Sequence, residues 1–341
     1  MQRTTVLLLF GGESSEHEVS ISSARNVYAA MDDTKFNIVL CFIDKNGHWW
    51  LLDELTAQID TSQAPQLVAA LGSRSFLTLP GNKVVSPDVI LPILHGKNGE
   101  DGAVQGLAQL LHIPIVGSGV VASALGWDKL ATKKITSAHG VRVVPHEIHH
   151  QDDELPDFSG LVLTLGRPLF VKPTRSGSSV GVNRVDSEDE LKRALEEAHK
   201  HHKVALIEHA VEGRELEVAV LGTKPHHRVS GVGEVLSGDT FYSYDDKYAS
   251  DSMAKVIVPA DVPEKIVEEI KATAKEIYEL LHCSGLARID FFLSNDGTLY
   301  FNEINTMPGF TNISMYPKLW RHEGIGYPKL IEHLIDDALA R

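Results

Sequence analysis

The spacing of apolar residues changes repeatedly along this chain, and each change marks an element. Thr5–Phe10 is an apolar run ending in Gly11-Gly12, which predicts a strand; Ser15 to Met31 predicts a helix, and Asn37–Ile43 a second strand. Asp88–Leu94 predicts a further strand that opens into HGKNGEDG (95–102). A polar, Gly-rich loop at the carboxyl end of an apolar strand is where open α/β sheets hold ligands. Residues 4–125 therefore read as an α/β unit. A second unit begins near Trp127-Asp128-Lys129 with a helix to about His139, followed by strand-like runs at Leu169–Lys172, Val180–Val185 and Lys203–Glu208. SEDE (187–190) matches a capping box opening a helix over 188–200, a cap worth about 1 kcal/mol.

The third unit runs from about Gly213 and holds strands at Leu216–Leu221 and Val229–Val235, a polar segment at 237–254, a helix over 264–282 started by Pro263, and a C-terminal helix over 327–340. Between those helices, Arg288–Leu293 and Thr298–Asn305 flank Asn295-Asp296-Gly297, which is strong hairpin-turn chemistry. With period-two alternation and an even loop, Arg288 and Asp290 share a face with Glu303 and Asn305, leaving Ile289, Phe291, Leu293, Tyr300 and Ile304 on the core face. Two carboxylates and an amide oxygen beside an Arg are costly to gather without a counter-charge. Such hard oxygen ligands suit Mg²⁺. A solvated polar face of an edge hairpin is the alternative that this segment alone leaves open.

Composition narrows the function. Hydrophobic content of 43% with 23% charged residues is that of a soluble globular protein with a full core. Net charge of −14 argues against a nucleic-acid partner, which needs a basic footprint. Val6–Phe10 and Val89–Leu94 are too short to cross a bilayer, and the first ten residues make a poor signal peptide, so a cytoplasmic protein without a membrane partner is expected. Cys41 and Cys283, far apart in apolar surroundings, read as buried free thiols.

Several patterns carry chemistry or imitate it. LFVKPTRSGSSVGV (169–182) places a Lys at a strand end before a loop of small residues, which fits phosphate binding or an exposed hairpin tip. GSSVG (177–181) matches the elbow of serine hydrolases, but the chain continues as a strand where that elbow requires a helix. GSGVVA (117–122) matches a dinucleotide fingerprint without the acidic residue that should follow. His146, His149 and His150 lie in a loop-like stretch, and HKHHK (199–203) closes a helix as a cationic last turn. Neither run has tetrahedral-site spacing, so solvated surface is the expectation for both. The long polar segment 237–254 carries aromatic residues and reads as a lid. MPGFT (307–311) follows the carboxylate strand directly, where backbone N–H groups can face developing charge.

Taken in order, GGESSEHEVS (11–20), HGKNGEDG (95–102), WDKLATKK (127–134), KPTRSGSSVGV (172–182), IEHAVEGRELEVAVL (207–221), FYSYDDKY (241–248), ARIDFF (287–292) and NEINTMPGFTNISMYP (302–317) resemble the ATP-grasp superfamily and, within it, the D-alanine–D-alanine ligase family. The resemblance covers nearly the whole chain. It implies a three-domain α/β (α+β) ATP-grasp fold: an N-terminal open α/β substrate domain (1–126), then a central (127–212) and a C-terminal (213–341) domain that hold ATP between them. Lys129 and Lys172 are then expected on the phosphates; Glu208, the backbone of His209 and Val211, Glu215 and Phe241 belong to the nucleotide site. Asp290, Glu303 and Asn305 would bind two Mg²⁺, with Mn²⁺ as a substitute. The family phosphorylates one D-alanine and couples it to a second. By that resemblance Glu16 and His95 hold the first D-alanine, Ser314 and Met315 the second, and Arg288 with the Gly309 N–H the oxyanion. Tyr248 would close onto Ser178 and Glu16 with Lys247 reaching phosphate or carboxylate, the lid pattern of dipeptide rather than depsipeptide ligases. A homodimer is expected on the same ground. His209, where Lys or Gln is commoner, and Met315 are departures that bear on nucleotide affinity and packing alone.

Overall fold

The computed structural model describes residues 3–236 and 255–341, and three sheets organise them. In the first, β1 (Thr4–Gly11) lies between β2 (Phe36–Ile43) and β7 (Val89–Ile93), parallel to both. β3 (Trp49–Leu52), β4 (Gln66–Ala70), β5 (Ser75–Leu79) and β6 (Val84–Val85) extend the sheet antiparallel beyond β2. β1 from Val6 to Phe10 and β7 throughout are apolar because both their faces are covered, as expected of parallel strands. β3, although wholly apolar (WWLL), and β4 are only half-buried. Helices α1 (His17–Ala30), α2 (Ala103–Leu111) and α3 (Val120–Trp127) belong to this part of the chain.

After α4 (Lys129–Ala138) the second sheet forms, antiparallel in the order β10-β9-β11-β8. Its strands are β8 (His146–His150), β9 (Leu169–Pro173), β10 (Asn183–Val185) and β11 (Val204–His209). With α5 (Phe158–Leu165) and α6 (Glu188–His201) it encloses its own core of Leu169, Val171, Leu191, Leu195, Ala205 and Ile207. Ser187 caps α6 by accepting from the Glu190 N–H, as the capping-box pattern predicts.

The third sheet is antiparallel, in the order β14-β13-β12-β15-β16. Its strands are β12 (Gly213–Leu221), β13 (Arg228–Leu236), β14 (Lys255–Ile257), β15 (Leu286–Ser294) and β16 (Leu299–Asn305). Helices α7 (Glu264–Leu280), α8 (Met315–His322) and α9 (Tyr327–Ala340) complete the described chain. Leu330, Ile331, Leu334 and Ile335 of α9 share one core with Val6, Leu8 and Phe10 of β1 and Ala219 and Leu221 of β12. The first and third sheets thus meet through common apolar packing. The second does not contribute to that core. Among the described residues no helix is long and apolar enough to cross a membrane. Cys41 and Cys283 are free and buried.

Three local expectations change. The predicted strand at 180–185 shrinks to Asn183–Val185, because Val180 N–H closes a turn onto Gly177 O at 3.0 Å. His146–His150 forms β8 instead of a loop. In the hairpin, Arg288 pairs with Asn305 and Asp290 with Glu303, which puts the four on one face as predicted, but a bulge then shifts the register so that Phe291 faces Phe301 and Phe292 faces Tyr300. The bulge reverses the alternation of β16. Leu299, Phe301 and Ile304 are the buried positions, and Tyr300 leaves the core face.

Candidate active site

The second and third sheets each present a polar wall, and the carboxyl ends of β1 and β7 supply a third group. On the second sheet, Lys172 of β9 and Glu208 of β11 share a face because Lys172 pairs with Leu206, two residues from Glu208. Lys172 Nζ lies 2.7 Å from Glu208 Oε2, and Lys133 Nζ of α4 lies 3.0 Å from Oε1. Lys133 is fully buried and is not among the residues expected from the sequence. It stands one helical turn after Lys129, and that i,i+4 relation is the signal that could have found it. Burial lowers its ammonium to about 8, although Glu208 opposes the shift. Burial would raise Glu208, but Lys133 and Lys172 outweigh it and hold the carboxyl below its usual range. Two ammoniums around one carboxylate leave a surplus positive charge on this wall.

The third sheet is the reverse. Arg288 donates from Nε and Nη2 to both oxygens of Asp290, at 2.8 and 2.7 Å, and its Nε lies 3.0 Å from Glu217 Oε2. Asn305 Nδ2 donates to Asp290 Oδ2 at 3.0 Å. Burial opposes the Arg288 charge, but Asp290 and Glu217 more than restore it. Glu217 was also missed, although it stands two residues after Glu215 and opposite Asp290 in register. Lys129 bridges the walls: its Nζ lies 3.2 Å from Glu303 Oε2 and donates to Ser176 O at 2.8 Å. The bulge turns Asn302 toward the second sheet, where its Oδ1 accepts from Lys172 at 3.3 Å. Nothing in the sequence signals that bulge.

Glu16, at the N-terminus of α1, accepts a short hydrogen bond from Ser178 Oγ. Ser178 and Ser179 sit in the left-handed region at φ 47° and 60°, a type I′ turn without glycine at either central position. Such backbone costs about 1–3 kcal/mol per residue and concentrates at functional sites. A Cβ at Gly177 would stand 2.6 Å from Glu16 Oε2, so the loop approaches the carboxylate as closely as only glycine permits. His95, buried after β7, contacts Met307 O at 3.2 Å through Nδ1 and Ser23 Oγ at 3.3 Å through Nε2. Burial pulls its imidazole down, but Glu100, 3.7 Å away, and Glu16 outweigh it and raise its proton affinity. Met307 lies in the segment that carries Gly309 and Ser314. There Ser314 Oγ accepts from Thr311 N–H at 3.1 Å and lies 3.2 Å from where a Gly309 Cβ would be. Met315 is buried at the start of α8.

The structure therefore brings Glu16, Ser178 and His95 to one end, Lys129, Lys172 and Glu208 to one wall, and Arg288, Asp290, Glu303 and Asn305 to the other. Glu215 sits on the Glu217 face of β12. Val211 lies in the connection between β11 and β12. The His209 N–H donates to Pro145 O at 2.9 Å and its Nδ1 contacts Leu165 O at 2.6 Å, so neither group is open to a nucleotide base. Phe241, Lys247 and Tyr248, and with them the predicted lid 237–254, lie outside the described residues. The donor set fits Mg²⁺ in chemistry: Asp290, Glu303 and Asn305 offer oxygens on one face, and the protein's own Arg288 and Lys129 lie against the two carboxylates.

Residues 5–118 match the family described as D-ala D-ala ligase N-terminus, and residues 135–336 match D-ala D-ala ligase C-terminus. The chain is 42% identical to D-alanine--D-alanine ligase A of Chromobacterium violaceum, over 100% of this chain and 96% of that protein. The solved D-alanine-D-alanine ligase of Coxiella burnetii superposes with a TM-score of 0.90 at 34% identity, covering 100% of this chain and 95% of the other. VanG D-Ala:D-Ser ligase of Enterococcus faecalis gives 0.89 at 33% identity, covering 98% and 99%. Similarity over the full length, in sequence and in fold, answers what the two opposed walls suggest: the chain belongs to the D-alanine–D-alanine ligase family.

Proposed function

We propose that this protein joins two D-alanine molecules to D-alanyl-D-alanine for peptidoglycan precursor synthesis, consuming ATP and releasing ADP and phosphate. One observation carries this reading: a wall with surplus positive charge (Lys133, Lys172, Glu208) faces a wall rich in carboxylates (Glu217, Asp290, Glu303). Polyanionic phosphates with their cations need both. The division into domains 1–126, 127–212 and 213–341 belongs to the same proposal, as do a homodimer and a cytoplasmic location, where ATP is available.

In the first step a carboxylate oxygen of one D-alanine takes the γ-phosphoryl group and ADP leaves. Lys129 and Lys172 neutralise the phosphates, and Glu208 with Val211 borders the nucleotide. Two Mg²⁺, or Mn²⁺ in their place, held by Asp290, Glu303 and Asn305, would lower the charge repulsion between attacking oxygen and phosphate. Glu16 and His95 hold the first D-alanine through its ammonium and carboxylate. In the second step the amine of the other D-alanine, oriented by Ser314, attacks the acyl carbon; it loses a proton and phosphate departs. Arg288 and the Gly309 N–H stabilise the oxyanion that forms, which is electrostatic preorganisation. Tyr248 and Lys247 complete the enclosure.

ADP release measured with D-alanine, L-alanine, D-serine and D-lactate side by side tests the assignment. Turnover with D-alanine alone, yielding dipeptide, is the expected result. Preference for D-serine or D-lactate as second substrate would assign a different product, and ADP release independent of any amino acid would overturn the reading.

A further inference from the structure

Two histidine runs that look separate in the sequence meet in the fold. β8 pairs with β11 so that His149 stands opposite Ala205, on the sheet face covered by α6 and opposite to the face of Glu208 and Lys172. His199 of α6 reaches it there: His149 Nδ1 lies 2.9 Å from His199 Nε2. The outer nitrogens are also engaged, His149 Nε2 with Glu154 O at 3.3 Å and His199 Nδ1 with His202 O at 3.2 Å. Carbonyl oxygens only accept, so a nitrogen bonded to one carries its ring's proton. Two neutral imidazoles hold two N–H groups against these three contacts, so one contact lacks a proton. With both protons on the carbonyls, the inner nitrogens present their lone pairs to each other, and an added positive charge completes the set.

A third proton or a metal ion would satisfy it. The surroundings disfavour the proton: burial lowers the proton affinity of His149, and nearby His199 and His150 add to that, although Glu154 O and Asp153 oppose them. Lys192 and Lys200 line the same cavity, of about 420 Å³, and their charge opposes a metal ion as it does a proton. Metal binding needs the arrangement seen here, since a ligating histidine commonly donates its other N–H to a backbone carbonyl, which fixes the bare nitrogen toward the ion. Asp153 and Glu196 also line the cavity, and Glu196 stands three residues before His199, on the same helix face. Among the described residues no third His, Cys, Asp or Glu already stands at ligand spacing, so water or a turned Glu196 would complete the shell.

We propose that His149 and His199 bind one divalent transition-metal ion of the zinc class, between β8 and α6 and on the opposite sheet face from the nucleotide wall. Imidazole nitrogens suit zinc, copper and nickel at about 2.0–2.1 Å, and discriminate against magnesium, which prefers oxygen. The proposal is independent of the ligase assignment.

Zinc chloride is titrated into the full chain saturated with Mg²⁺ and ADP, so that the oxygen-rich cleft is already occupied. One zinc per chain is expected, weakened about 10-fold or more by His149→Phe or His199→Gln and unchanged by His201→Gln. X-ray absorption of the zinc-loaded wild type should show two imidazole nitrogens, and it carries the test should a variant fail to fold. Equal zinc affinity in wild type and both variants would overturn the proposal. So would a pair that takes no zinc and titrates instead with one shared proton.

Discussion

Glu208 and Asp290 are both buried carboxylates on facing sheets, yet each is held in an opposite electrostatic setting. Glu208 is outnumbered by lysines, Lys133 and Lys172. Asp290 shares one arginine with Glu217, and Glu303 adds to the same field. The same residue type therefore serves two ends: on the second sheet it keeps two ammoniums in place, and on the third it is part of the excess charge itself. Removing a partner from either buried set leaves an uncompensated charge, which typically costs about 3–5 kcal/mol. The identity of the partner decides which function is lost.

The largest effect is expected on the carboxylate-rich wall. Arg288→Ala should lower kcat by about 10³-fold while ATP binding changes only a few-fold, because the role proposed for its charge is to stabilise the oxyanion. Single-turnover kinetics alongside nucleotide titration would separate the two; matched losses in affinity and turnover would make Arg288 a nucleotide ligand instead. Asp290→Asn and Glu303→Gln should each reduce turnover by about 10²-fold and raise the Mg²⁺ concentration needed for half-maximal rate. Near-normal ADP release at ordinary Mg²⁺ would remove these residues from the cation site.

On the positive wall the effect is smaller and shows its sign through pH. Burial lowers Lys133 from 10.5 to about 8 in the folded chain. Between those values the unfolded chain binds more protons, so stability should rise as pH passes from 8 toward 10.5, by at most roughly 3 kcal/mol. Over the same range the wall loses charge, and KM for ATP should climb. Lys133→Met should abolish the stability slope, raise KM for ATP about 10-fold at pH 7 by removing one positive charge near the phosphates, and flatten the rise above pH 8. Denaturant midpoints and ATP kinetics taken across that interval provide the check; an unchanged slope in the variant would move the titration to another group. Tyr248→Phe is expected to matter least, weakening the closed site by about 1 kcal/mol, the net worth of one hydrogen bond. Hydrogen exchange over 237–254, with and without ATP and a phosphinate inhibitor, measures it directly; equal protection in both states would end the lid reading.

Where one physical preference dominates, the sequence predicts the structure well. β1 and β7 are apolar on both faces, the Ser187 cap opens α6, and Arg288 and Asp290 fall on the Glu303 face through period-two alternation. β3 and β4 are half-buried and only four and five residues long, too short to show a period, and pass unnoticed. Tertiary geometry accounts for the remainder of the site. Lys133 has only its helical spacing from Lys129 to mark it until β11 packs beside it, Glu217 gains its partners when β15 pairs with β12, and Asn302 reaches Lys172 only because β16 bulges. Ser178 was legible as part of a loop, whereas its left-handed backbone was not.

The packing of α9 against α1 and β7 also bears on how this chain tolerates being divided. Ala24 and Val27 of α1 and Val89, Leu91 and Ile93 of β7 share a core with Leu330, Ile331, Leu334 and Ile335, which follow them by more than two hundred residues. A contact of such separation adds nothing until almost all the intervening chain is in hand. An excised fragment ending near residue 118, where the N-terminal family match stops, would keep its strands but expose one apolar face of its sheet. Its complement would carry a helix that has lost part of its apolar cover. Mixed together, the two fragments present matching apolar surfaces, so this boundary in sequence is a seam across which the halves can reassociate.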